Sequence, residues 1–482
     1  MRMMGDMGGV VPAPAAPGAG QVLTTDLYEV SMCLGYLREG MTAEATFSLF
    51  VRELPPARGF LVAAGLEPAL DYLSRLRVGP AEAAAFADVL HRPPADLDPM
   101  TGLEFRGAVR AVPEGRVVLA GEPLLEVTAP LPQAQLAESF LLNLVGHQTA
   151  VASKAARCVL AARGRPVVDF SLRRTHGAEA ARQMARTGAL TGFAGTSNVA
   201  AATELGIPAV GTMAHSWIEA FEDEEAAFRA FARAHPGPVA FLVDTYDTER
   251  GTAVAARVLR GLGYGPGCGI RLDSGDLAVL AGRCRRILDD AGLPEVRIIA
   301  SGGLDEYAVD RLVRAGAPID VYAVGTKAGV SADAPYLDSA YKLVSFAGRP
   351  VMKLSAAKVT APAAKQVFRG PGCRDVIALR DEPVPPGTEP LLRTVMTGGR
   401  RTAAPDTLAA ARERFQADLA ALPEDARRIH DPVAPRPGRS AALIRLTEEV
   451  RSRIGARTGA RGTSGDAGDA GERGDASGGA RG

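Results

Sequence analysis

The stretch GTMAHSW (211–217) sets one of the chain's six histidines, His215, just beyond the apolar run IPAV and a glycine. A histidine so placed can be a general acid or base, a nucleophile, or a hydrogen-bonded core residue. A second stretch, IRLDSGDL, puts Arg271, Asp273, Ser274 and Asp276 close together around Gly275. Arg271 and Asp273 stand two apart, so on a strand they point to the same side. Carboxylates there can hold ribose hydroxyls or a Mg²⁺ carried by phosphates. Asp276 reads more simply as the N-cap of the helical pattern LAVLAGRCRRILDD. Arg173 and Arg174 follow the run VVDFSL, and a guanidinium fork suits carboxylate and phosphate. Neighbours on a strand face opposite ways, so one of the two is expected to enter a pocket.

Two glycine turns, SGGL (301–304) and VGTK (324–327), stand before helical patterns. Such turns bind phosphate because the backbone N–H groups are unobstructed and a helix N-terminus favours an anion. The Walker pattern, the G-x-S-x-G elbow and the H-E-x-x-H zinc helix are all missing from the sequence. GLGYGPGCG (261–269) precedes a strand pattern instead of following one, which disqualifies it as a dinucleotide fingerprint.

These groups need elements to hold them. Strand patterns fall at 165–172, 190–195, 207–213, 239–245, 269–275, 296–302 and 320–326, with Ala-rich amphipathic segments between them. VMKLS (351–355) is a candidate eighth. Alternation of this kind predicts an irregular α/β, TIM-like barrel over 141–345. Seven polar clusters then stand at strand C-terminal ends, the face where such folds build active sites. Residues 21–140 read as an α+β N-terminal domain, and 346–454 as strands and helices packing on it. Residues 1–20 and 455–482 read as disordered tails, the second despite its Gly at every third position from Gly459 to Gly474.

Hydrophobic residues make up 47% of the 482, and 55 basic residues balance 55 acidic ones, which describes a globular protein with no bias toward nucleic acid. No apolar run reaches membrane-spanning length and no signal-peptide pattern opens the chain, so a cytoplasmic location is expected, with no membrane partner. The five scattered cysteines suggest buried thiols.

In order and number, the motifs LTTDLYEVSM, FVRELPPARGFLVAAGLEPAL, DFSLRRTHG, GFAGTSNVAAA, GTMAHSW, VDTYDT, IRLDSGDL, IIASGGLDE, YAVGTK and KLSAAKVTAPAAKQVFR resemble the nicotinate phosphoribosyltransferase family. The likeness runs from about Leu23 to about Arg369. It implies a type II phosphoribosyltransferase that makes nicotinate mononucleotide, in NAD salvage, from nicotinate and phosphoribosyl pyrophosphate. It also implies a head-to-tail homodimer with shared sites, Mg²⁺ brought by substrate phosphates with Asp273 a candidate ligand, and ATP as co-substrate. ATP would borrow the phosphoribosyl pyrophosphate site and phosphorylate His215.

By matching motifs the resemblance assigns catalysis to His215, Asp273 and Arg173. Asp273 would hold the ribose, and Gly302 and Gly303 the 5′-phosphate side. Arg173, Arg271, Gly325 and Thr326 would serve the pyrophosphate. Tyr28 and Phe170 would stack on the pyridine ring, and Asp26 and Ser197 would also contact substrate. Nicotinamide phosphoribosyltransferase shares most of the motifs but has Asp at the position of Ser197. A non-catalytic phosphoribosyl-ligand sensor is the rival from outside the enzymes, and it need not keep His215, Asp273 and Arg173 together. One departure stands out: the family usually has Gly after the proline where this chain has Pro362-Ala363-Ala364-Lys365.

Overall fold

The computed structural model describes residues 21–355 and 360–458. The helix Glu138–Ala162 is its spine. Leu141, Leu144, Val145 and Ala150 join the core of the N-terminal part, and Val151, Ala155, Cys158 and Ala161 join the core of the parallel-sheet part. One element thus couples two hydrophobic cores.

The first core backs a seven-stranded antiparallel sheet whose central strands are Ser339–Phe346, Glu44–Val51, Pro123–Pro130, Ala108–Ala111 and Arg393–Thr397, in that spatial order. Ser339–Phe346 straddles the boundary expected at 345, and the spine helix crosses the one expected at 140. Lys365–Gly370 and Arg374–Leu379 head a separate four-stranded sheet. Before it, Ala363 takes φ of +64°, the left-handed region that favours glycine, so the departure from the family pattern falls where a glycine would be relaxed.

The second core surrounds six parallel strands. Their spatial order is Gly195–Thr196, Val167–Asp169, Val321–Val324, Arg297–Ala300, Gly269–Leu272 and Ala240–Leu242, which is chain order rotated, as in a barrel. Among the described residues the strand pairing does not close a ring. The run expected as a strand at 207–213 makes only one bridge, Ala209 to Thr196, and among the described residues no pairing joins it to Ala240–Leu242. The result is a parallel half-barrel sheet within a mixed α/β fold, the part of the expected irregular TIM-like barrel that strand pairing forms among the described residues. VMKLS makes no eighth strand. Leu190 and Thr191, expected in a strand, end the helix Ala178–Thr191, which Gly192 stops at φ of +113°.

Helices return across the sheet from aspartate caps. Asp247, Asp276 and Asp305 each accept hydrogen bonds from the first-turn N–H groups of the helices they open. At the far end, the helix Ala441–Thr458 runs past the expected start of the tail at 455. The expected tails at 1–20 and from 459 onward lie outside the described residues, as do Lys358 and Val359. No helix among the described residues is long and apolar enough to cross a membrane. All five cysteines are buried free thiols.

Candidate active site

A cavity of about 500 Å³ opens where the sheet fails to close. Gly211, Thr212, Met213, Ala214 and His215 line one side, and Leu242, Arg271 and Asp273 the other, with Phe170, Arg173 and Ser197 completing it. The chain leaves the sheet after Ala209 and enters the five-residue helix His215–Glu219. Ile218, fully buried, anchors that helix, and Trp217 donates from Nε1 to the Ala227 carbonyl at 3.1 Å. His215 is left facing the cavity with 41% of its side chain exposed, which ends the core-histidine reading. Its Nδ1 lies 3.2 Å from Thr245 Oγ1, and its Nε2 4.0 Å from Asp273 Oδ2.

Asp273 and Arg271 point to the same side, as their spacing predicts. Arg271 is buried and commits its donors: Nη2 to Asp273 Oδ1 at 2.6 Å, Nε to Ser301 Oγ at 2.7 Å and Nη1 to Thr212 Oγ1 at 3.0 Å. Its guanidinium also sits 5.3 Å from the centre of the Phe170 ring. Ser301 Oγ donates a further bond to Asp273 Oδ1 at 2.5 Å. Burial alone would raise the Asp273 pKa, but the hydrogen bonds from Ser301 and Arg271 and the Arg271 charge more than reverse it, so it falls below the ordinary value. Asp273 is therefore an ionised carboxylate with Oδ2 turned to the cavity.

Asp244, at the end of the neighbouring strand, accepts from Asp273 N–H at 2.9 Å and from Ser274 Oγ at 2.6 Å through Oδ2. Its Oδ1 is buried and has no hydrogen-bond partner among the described residues. Among the described residues no group of three or more His, Cys, Asp or Glu is placed to hold a metal ion by itself. The partnerless Asp244 oxygen and Asp273 Oδ2 suit a cation that arrives with most of its ligands already supplied by phosphate and water.

Arg173 lines the cavity, whereas Arg174 is not part of its wall. Strand alternation does not decide this, because both lie on the 3₁₀ turn Leu172–Arg174 beyond the strand's end at Asp169. Among the described residues no carboxylate pairs with Arg173. The glycine turns are not part of the cavity wall: Gly302, Gly303, Gly325 and Thr326 all lie outside it, although Ser301 of the first turn reaches Asp273. Gly302 (φ +85°) packs so tightly that a Cβ would come within 1.8 Å of the Asp273 carbonyl oxygen, so no side chain fits. A Cβ on Gly325 would stand 3.1 Å from the Phe170 carbonyl oxygen, and Thr326 opens the short helix Thr326–Gly329.

Two further expected substrate contacts, Asp26 and Tyr28, lie outside the cavity as well. Asp26 accepts from Ser139 Oγ at 2.7 Å on the N-terminal part, and Tyr28, 47% exposed, stands next to it on the helix Leu27–Arg38. Burial and the nearby carboxylates Glu138 and Glu29 push the Tyr28 phenol well up. Neither residue lines the cavity of its own chain.

Sequence reasoning missed Asp169, Thr212 and Thr245. Asp169 is buried and accepts from Ser171 N–H at 2.8 Å and Thr196 Oγ1 at 2.6 Å, which fixes the turn carrying Phe170. A carboxylate inside the apolar run VVDF was the available signal. Thr212 and Thr245 sit within quoted motifs, but only their contacts single them out.

Residues 23–146 match the family of the nicotinate phosphoribosyltransferase (NAPRTase) N-terminal domain, and 166–318 match the NAPRTase family. A nicotinate phosphoribosyltransferase of Mycobacterium tuberculosis, pncB2, is 45% identical across 85% of this chain and 89% of that protein. The nicotinate phosphoribosyltransferase of Homo sapiens is 32% identical across 87% of this chain and 94% of that protein. The crystal structure of the human protein superposes with a TM-score of 0.78 at 30% identity, covering 88% of this chain and 99% of that one.

Proposed function

The chain belongs to the nicotinate phosphoribosyltransferase family, enzymes that join nicotinate to phosphoribosyl pyrophosphate, and on that premise we propose how its residues divide the work. The observation that carries the assignment is the convergence of Phe170, Arg173, Ser197, His215 and Asp273 on one cavity.

In the reaction the ribose C1–O bond to pyrophosphate breaks and a C1–N bond to the pyridine nitrogen forms. Positive charge grows on the sugar and negative charge on the leaving group. Asp273 holds the ribose hydroxyls, and its lowered pKa keeps it an acceptor at neutral pH. Arg271, spent on Thr212, Ser301 and Asp273, orients that carboxylate and steadies the Phe170 ring against which the pyridine stacks. Arg173, paired with no carboxylate among the described residues, serves the anionic groups directly. Backbone N–H groups at Gly302, Gly303, Gly325 and Thr326 serve the phosphate end. Asp273 and Asp244 are the residues that would hold a Mg²⁺ brought by the substrate, which would supply positive charge for the leaving pyrophosphate. Ser197, uncharged, admits the carboxylate of nicotinate where an aspartate would repel it.

His215 is the proposed acceptor of the ATP γ-phosphoryl group: a P–N bond forms as the P–O bond to ADP breaks, and water later takes the phosphoryl. Its exposure and its hydrogen bond to Thr245 support this role. Tyr28 and Asp26 are proposed to serve a partner copy's cavity in a homodimer. Tyr28 is half-exposed and away from its own cavity, with Leu27 and Met32 exposed beside it. The enzyme is proposed to work in the cytoplasm, where ATP is at hand and buried thiols stay reduced.

γ-Labelled ATP should leave an acid-labile, base-stable label on the wild-type protein and none on His215→Ala, which should keep slow ATP-independent synthesis. Label that persists in His215→Ala would remove the phosphohistidine from this account. Mixing Tyr28→Ala with His215→Ala chains should restore ATP-stimulated synthesis that neither shows alone, and no recovery despite proven exchange would argue for self-contained sites.

A further inference from the structure

Beneath the two glycine turns lies a buried charge cluster that the proposed chemistry does not use. Lys154, in the spine helix and 1% exposed along its side chain, places Nζ 2.5 Å from Glu306 Oε2 and 2.9 Å from Asp333 Oδ1. Glu306 opens the helix that follows the Ser301–Leu304 turn, next to Asp305. The Asp305 carboxylate takes Lys327 Nζ at 2.9 Å and so ties the first turn to the second. Asp333 lies on the loop leading away from the second turn, where Ser331 holds φ of +48°. Arg58, from the N-terminal part, forks onto Asp333 at 2.9 and 3.0 Å. Arg157 meets Glu306 Oε1 at 3.1 Å.

Lys154 therefore touches both carboxylates, one from each turn's flank, from a helix anchored in both cores. Burial works against its charge, but Glu306 and Asp333 more than offset that and its pKa rises. In the first turn Gly302 and Gly303 both take positive φ, and Gly302 packs against the Asp273 carbonyl. A shift of about 1 Å in a substrate-holding loop can cost about a hundredfold in rate.

We infer that Lys154 is a positioning residue which, through Glu306 and Asp333, sets the spacing of the two glycine turns and thereby the affinity of the phosphate end of the site for phosphoribosyl pyrophosphate. The inference rests on the phosphoribosyl reading above. It differs from a general stabilising role in expecting one substrate to be affected and the other spared.

The test compares wild type with the double variant Lys154→Gln/Glu306→Gln, which removes both charges while keeping the side-chain lengths close. KM for phosphoribosyl pyrophosphate should rise by about tenfold or more, with kcat and KM for nicotinate within about threefold of wild type. The rise in Tm that inorganic pyrophosphate gives the wild-type protein should shrink in parallel. If the double variant does not fold, Asp333→Asn, at the cluster's edge, should show the same split. An unchanged KM for phosphoribosyl pyrophosphate in a folded variant would overturn the inference, and so would an equal rise in both KM values. A wild-type protein that makes no nicotinate mononucleotide would instead overturn the phosphoribosyl reading and this inference with it.

Discussion

Arginine meets aspartate in two parts of this molecule, with opposite consequences. In the C-terminal sheet, Arg369 is closed off: Nη2 bonds Asp375 at 2.6 Å, Nη1 bonds Asp418 at 2.8 Å, and a further N–H reaches the Val117 carbonyl at 2.8 Å. Asp375 is fully buried. At the cavity, Arg271 is equally committed, but its partner Asp273 keeps 29% of its side chain exposed and one oxygen turned toward His215. A satisfied cluster holds a fold together, whereas an ion pair with a spare acceptor and open access can bind something else. The pair proposed to bind substrate thus differs from the scaffold pair by what is left unsatisfied at its edge.

The sharpest way to break this contrast is a matched pair of substitutions. Asp273→Asn is nearly isosteric and should lower kcat/KM by about a thousandfold with little change in Tm, since a neutral amide is a poorer acceptor for the ribose hydroxyls. Arg369→Met should do the reverse, costing about 3–5 kcal/mol of stability in urea titration by stranding buried carboxylates, with kcat/KM per folded molecule unchanged. If Asp273→Asn is destabilised as much as Arg369→Met, or keeps wild-type activity, the division between site and scaffold fails.

A smaller effect is expected from Ser197→Asp. Two unit charges about 4 Å apart repel by roughly 4 kcal/mol at an intermediate dielectric, and solvent and cations reduce that. The ratio of kcat/KM for nicotinate over nicotinamide should fall by about tenfold or more. An unchanged ratio would mean that Ser197 does not face the carboxylate.

The smallest effect concerns scaffold alone. Ala363, at φ of +64°, should be relieved by Ala363→Gly. The gain should be under about 1 kcal/mol, because glycine also loosens the unfolded chain. A loss of stability on urea titration would show that the loop is not strained at Ala363.

The sequence is legible where the governing interaction is local. Asp276 reads as a helix cap and is one, Arg271 and Asp273 share a side because strands alternate, and the glycines of the SGGL turn stand where positive φ is needed. What depends on distant pairing is not legible. Closure of the sheet turns on whether residues 207–213 reach the strand Ala240–Leu242, and nothing within either run says that they do not. Gly192, expected within the strand run 190–195, instead stops the helix before it, which only the extent of that helix decides. The choice between Arg173 and Arg174 needed the turn that follows the strand, and the Lys154 cluster needed residues far apart in the chain.

The most direct measurement is the initial rate of mononucleotide formation from phosphoribosyl pyrophosphate with nicotinate or nicotinamide as the base, each with and without ATP. The account predicts nicotinate mononucleotide as the favoured product, formed faster with ATP. A preference for nicotinamide, or no turnover of either base by folded protein, would contradict it.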